Sequence, residues 1–228
     1  PFVFHGSIED ACRQALALGF DAVELFLPEG DSPLAHRAIA TAQAHGLSIA
    51  ALGTGAGWLR HGYSLTSPEA TIRQAAVDFI SRLIDLGGPT STPVIIGSMQ
   101  GRFGGQVDRT QALEWLGDSL KQLAQIASSR YGSRVFYEPL NRYETNLFHQ
   151  LGPAAQWLTT LQEPSLSLLA DLFHMNIEEV DIAQAIDDYF DSIGHIHIAD
   201  SNRRAMGLGH TAWQPIAQIL QRRGYRGY

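Results

Sequence analysis

Strand-like and helix-like patterns alternate without a break along this chain of 228 residues. Such alternation calls for a parallel sheet covered by helices, either closed as a barrel or open and doubly wound. Strand runs are read at 2–4, 20–27, 47–52, 94–96, 135–137, 166–170 and 196–199. Each is followed by apolar residues at helical spacing. Ser7 with Asp10 offers a cap ahead of the first helix, which Gly19 stops, and the second helix covers 33–45 up to Gly46. Ser67-Pro68-Glu69 opens the third, with Pro68 expected at its first position and Ile72, Ala76, Phe79, Ile80, Leu83 and Ile84 along one face. The later helices are expected at 110–128, 152–161, 182–190 and 213–221. The glycine-rich stretch 53–63 reads as a long working loop.

Loop chemistry separates the two architectures. An open nucleotide-binding sheet carries a glycine-rich phosphate turn after its first strand, and Phe4-His5-Gly6-Ser7 contains no such fingerprint. A barrel instead gathers polar residues at the carboxyl ends of many strands. Glu24, Gln100, Glu138, Asp171 and His197 are all expected at or just past strand ends. The expectation is therefore an α/β (β/α)8 barrel forming a single domain over 1–228, truncated before the eighth strand. The start at Pro1, already within a strand pattern, suggests a slightly incomplete N-terminus.

Composition narrows the partners. Sixteen Lys and Arg against 23 Asp and Glu leave a net charge of −7, which argues against non-specific binding to nucleic acid. No run of 18 apolar residues is present for a membrane span. The single cysteine, Cys12, cannot form an internal disulfide and suits a reducing, cytoplasmic setting.

The stretch from Tyr137 to Asn146 sets two carboxylates, two amides and an arginine behind an apolar run. Pro139 ends the ladder of that strand, so Glu138 belongs at its carboxyl end. A glutamate there needs a cation or a hydrogen-bond network. Asp171 follows 33 residues later and His197 another 26, about one βα unit each, so consecutive strands would aim two carboxylates and an imidazole at one point. Oxygen and nitrogen donors without a thiolate suit manganese, magnesium, cobalt or zinc. The bland alternative has Asp171 capping the next segment, His197 satisfied in the core and Glu138 paired with Arg142. Spacing alone leaves both open. His195 and His197 share one face of their strand, so one could support the other.

Three motifs go further. Glu138-Pro139-Leu140-Asn141-Arg142-Tyr143-Glu144-Thr145-Asn146, Asp171-Leu172-Phe173-His174-Met175-Asn176, and His195-Ile196-His197-Ile198-Ala199-Asp200-Ser201-Asn202-Arg203 together resemble the xylose-isomerase-like barrels, most closely their D-tagatose 3-epimerase branch. Gly19-Phe20-Asp21-Ala22-Val23-Glu24-Leu25 is similar to the second strand of that superfamily. The resemblance implies a sugar isomerase or epimerase that binds a divalent ion, manganese first, through Glu138, Asp171 and His197. It makes Glu138 a catalytic acid/base, and Glu144, His174 and Arg203 substrate contacts. The implied reaction is 3-epimerisation of a ketose through a cis-enediolate. A second glutamate, both fourth ligand and second acid/base, is expected on the eighth strand, past Tyr228. A keto sugar or cyclitol is the implied partner, and homodimers or homotetramers are common in such relatives. Inosose isomerase or dehydratase, hydroxypyruvate isomerase and a non-catalytic barrel are the competing readings. The acidic charge disfavours the DNA-cleaving relatives that use several zinc ions.

Overall fold

Residues 6–228 of the computed structural model are described, and the strand expected at 2–4 lies outside them. Within the described residues six parallel strands form one sheet in chain order: β1 (Ala22–Phe26), β2 (Ser48–Gly53), β3 (Val94–Ile96), β4 (Val135–Tyr137), β5 (Leu166–Asp171) and β6 (Ile193–His197). The sheet curls into part of a barrel. Its curl is read from Glu24 on the edge strand β1, whose carboxylate reaches both His195 and His197 on the opposite edge strand β6. The backbone N–H of Ile196 is bonded to the Tyr228 carbonyl, so the last residues run beside the free edge of β6.

The helices are α1 (Ile8–Ala17), α2 (Pro33–Ala44), α3 (Ala56–His61), α4 (Ala70–Gly87), α5 (Arg109–Tyr131), α6 (Leu151–Thr160), α7 (Leu172–Glu178), α8 (Ile182–Asp188) and α9 (Trp213–Arg222). Side-chain oxygens of Ser7, Ser32, Asp108, Asp171 and Asp181 accept the free N–H groups at five helix starts. Each cap is worth about 1 kcal/mol.

Alternating side chains split the interior into two cores. Outward residues such as Leu52, Val94, Ile96, Val135 and Tyr137 pack against Ile80, Leu83, Leu116, Leu120 and Leu123 of the helices. Inward residues Ala51, Ile95, Phe136 and Leu169, one from each of β2 to β5, form a small separate cluster inside the curl. Two residues further along their strands stand Gly53, Gly97, Glu138 and Asp171. An apolar floor is thus followed by a polar layer, as the period of two requires.

Several expectations are corrected. The stretch 53–63 contains α3, which Gly62 ends in a left-handed conformation (φ 68°). Helix α4 is capped at Glu69, leaving Pro68 outside it. The last described strand begins at Ile193 rather than 196, and its last residue is His197. Gly194 hid that start, since glycine is a poor strand former; a Cβ there would strike the Phe136 ring. Glu24 lies in the middle of β1, not at its end. Among the described residues no helix is long and apolar enough to cross a membrane.

Candidate metal centre

Glu138 leaves β4 with its N–H bonded to the Ile96 carbonyl at 3.1 Å. Its backbone is fixed from below by Gln100, whose amide donates to the Gly97 and Glu138 carbonyls at 3.0 and 2.9 Å. Gln100 in turn accepts from the buried Tyr137 hydroxyl. Gly97 leaves the room that the Glu138 carboxylate fills, because a Cβ at that position would collide with Oε2.

Asp171 ends β5 and serves two directions. Its Oδ1 accepts the Phe173 N–H at 2.8 Å and caps α7, while Oδ2 stands 3.4 Å from His197 Nδ1. The capping role raised from the sequence is therefore present, without using up the carboxylate. His197 Nδ1 is also 3.9 Å from Glu138 Oε1. One ligand atom each from Glu138, Asp171 and His197 lies within 4.8 Å of the others. Arg142 does not pair with Glu138. It makes a bidentate pair with Glu178, at 3.0 and 2.8 Å.

Burial and the Asp171 charge push the Glu138 carboxyl up to about 8. Asp171 is held low: burial opposes this, but the His197 hydrogen bond and the nearby imidazoles outweigh it. His197 is pushed up to about 11, because bonds to Asp171 and Glu24 overcome its burial. A cation bound among these three groups would take the place of the protons that Glu138 and His197 hold.

His174 is buried against the same carboxylates, its Nε2 3.7 Å from Glu138 and 3.9 Å from Asp171. Its Nδ1 accepts the Asn141 backbone N–H at 3.1 Å. A backbone N–H can only donate, so the neutral ring carries its proton on Nε2, toward the carboxylates. Burial lowers its basicity.

Glu144 and Arg203 stand at the rim, 3.4 Å apart. Glu144 accepts from the Asn141 amide at 3.2 Å. The Arg203 guanidinium lies 4.3 Å from the centre of the Phe173 ring. Its backbone is left-handed, with φ 61°, a conformation uncommon outside glycine and frequent at functional loops. A cavity of about 600 Å³ opens beside Glu144, walled by Trp58, Thr66, Arg102, Phe103 and Tyr143. Another, of about 540 Å³, includes Ile49, Phe136, His195 and Tyr228 in its lining but none of these carboxylates.

Sequence reasoning grouped Glu24 with the polar strand-end residues but assigned it neither a role nor its histidine partners. Its Oε2 is 3.1 Å from His195 Nε2 and 2.9 Å from His197 Nε2. The strand motif containing it was visible; its reach across the curl was not.

The family model described as xylose isomerase-like TIM barrel matches residues 12–228. A stretch of 111 residues is 38% identical to the 3-dehydro-D-guloside 4-epimerase of Escherichia coli, covering 49% of this chain and 42% of that protein. The ketose 3-epimerase of Arthrobacter globiformis is 29% identical over 216 residues, 92% of this chain and 71% of that one. Against the crystal structure of a 3-keto-D-glucoside 4-epimerase from E. coli in its apo form, the TM-score is 0.82 at 24% identity. That superposition covers 100% of this chain and 87% of the other, and it shows the fold.

Proposed function

As the chain belongs to the xylose isomerase-like TIM barrel family, we propose that it acts as a divalent-metal-dependent sugar epimerase. The reaction is 3-epimerisation of a ketose through a cis-enediolate. The observation that carries this reading is the convergence of Glu138, Asp171 and His197 on one point. Separations of 3.4 and 3.9 Å from His197 Nδ1 to the two carboxylates suit donors sharing an ion with bonds of about 2.0–2.2 Å. Two oxygens and a nitrogen without a thiolate suit manganese, magnesium, cobalt or zinc, and the family resemblance puts manganese first. The activity named for the Arthrobacter relative supports the sugar.

Bound there, a divalent ion would polarise the sugar carbonyl and stabilise the enediolate charge. Glu138 takes the proton from the carbon beside the carbonyl on one face of the sugar, and inversion requires a second acid/base to return a proton on the opposite face. In the ion-free protein burial and the Asp171 charge raise the Glu138 carboxyl to about 8, and a bound cation would lower it. Glu144 accepts from a sugar hydroxyl, Arg203 donates to one, and His174 turns its Nε2–H toward the bound substrate. Cys12 is a free, buried thiol, in keeping with a cytoplasmic setting.

A second reading is 4-epimerisation of a 3-keto glycoside. It is favoured by the named activity of the E. coli relative and by the cavity beside Glu144, whose aromatic walls would receive a further substituent. Full-length protein with manganese, given free ketoses and keto glycosides in heavy water, decides between them by NMR. Deuterium is expected to enter at the inverted carbon, C3 or C4, and a chelator should stop it. Glu138→Gln should lower exchange by at least about 10²-fold. No exchange on any keto sugar with metal bound would overturn the proposal.

A further inference from the structure

We infer that Glu24 is a positioning residue for His197: it holds the Nε2–H and thereby turns Nδ1 toward Glu138 and Asp171. The inference rests on the metal reading above.

A single oxygen, Glu24 Oε2, lies 2.9 Å from His197 Nε2 and 3.1 Å from His195 Nε2. A carboxylate oxygen lying between two imidazole nitrogens at hydrogen-bond distance is their shared acceptor, so both Nε2 atoms donate. With the Nε2–H so held, Nδ1 is the nitrogen left to ligate a cation, the arrangement by which a carboxylate orients a ligating histidine.

Glu24, His195 and His197 could also be read as a second metal site, since they too cluster within 4.8 Å. The clamp accounts for both contacts with hydrogen bonds of ordinary length and leaves His197 Nδ1 for the group that holds the two buried carboxylates.

The backbone is built to hold the clamp. The register of β1 on β2 slips between Val23 and Glu24, and that of β5 on β6 slips between Leu168 and Leu169, beside His195. Such irregularities re-aim side chains. His195 is buried and lies parallel to Phe136, 5.5 Å between centroids and 6° between planes. It therefore serves as the fixed end, with Glu24 between it and His197.

The test uses full-length parent, Glu24→Gln and Glu24→Leu. Manganese affinity is read by titration of free Mn²⁺ in electron paramagnetic resonance, and histidine tautomers by ¹⁵N NMR of zinc-loaded protein. The parent should show His197 protonated at Nε2 and ligated through Nδ1. Glu24→Leu should weaken manganese binding by about 10–100-fold and lose the protected Nε2–H. Glu24→Gln, which still offers an oxygen and keeps the size, should fall between and serves if the leucine variant does not fold. Unchanged affinity and tautomer in the folded variants would overturn the inference while leaving the metal site standing. Two zinc ions per chain, with His195 as a ligand, would also overturn it. A parent that binds no divalent ion would remove the metal reading and this inference together.

Discussion

Glu138 is held by what its neighbours lack as much as by what they offer. Gly97 has no side chain where the carboxylate turns, and Gln100 fixes the backbone on either side of that gap. Gly97→Ala should therefore push the carboxylate away from Asp171 and His197. The expected result is a folded protein with manganese affinity reduced at least tenfold, measured by calorimetric titration. Unchanged affinity would mean the carboxylate position is not set by this contact. Motif and strand-end position put Glu138, Asp171 and His197 forward together, and the structure brings their ligand atoms within 4.8 Å of one another. The same signals could not reveal the partners of Glu24, which lie 171 and 173 residues away and meet it only once the sheet curls. Nor could they decide the partner of Arg142, which the turn after β4 directs to Glu178 on α7.

The loop between β6 and α9 is organised by one buried carboxylate. Asp200 accepts backbone N–H groups from Ser201, Gly207 and Thr211 at 2.7, 2.8 and 2.9 Å. Its own carbonyl takes the Arg203 N–H at 2.8 Å, which helps hold Arg203 in its left-handed turn facing Glu144. The backbone donors, Thr211 first, keep the Asp200 carboxyl far below the usual carboxylate range, with burial opposing them. A group depressed in the folded state stabilises above its unfolded value, near pH 3.9, and that contribution fades as pH falls toward the folded value. Asp200→Asn should thus unfold at lower temperature than the parent at pH 7, with the gap narrowing below about pH 4. Thermal melts followed by circular dichroism would show this. A constant gap would contradict it. Helix periodicity found α1, α2, α4, α5, α6, α8 and α9 to within a few residues. It missed α7, seven residues starting directly from the Asp171 strand end, because a single turn or two gives too little repeat to read. It missed α3 because glycines around it look like loop.

For the whole molecule, alternation predicted a parallel sheet, and strand-end polarity predicted its closure as a barrel. The six described strands bear out both parallel order and curl. What alternation could not supply was the layering inside that curl. Phe136, Leu169 and His195 make a floor, and Glu138, Asp171 and His197 stand two residues above them, paired across β5 and β6 at Leu169 with His195 and Asp171 with His197. Shifting one strand by a single residue would send its donor outward, into the helix layer. The site is therefore a property of register as well as of composition. A crystal of the full-length protein grown with manganese, with diffraction recorded at the metal absorption edge, tests this most directly. One anomalous peak within about 2.3 Å of Glu138, Asp171 and His197 Nδ1 is the expected result. A peak elsewhere, or His197 bound through Nε2, would contradict it.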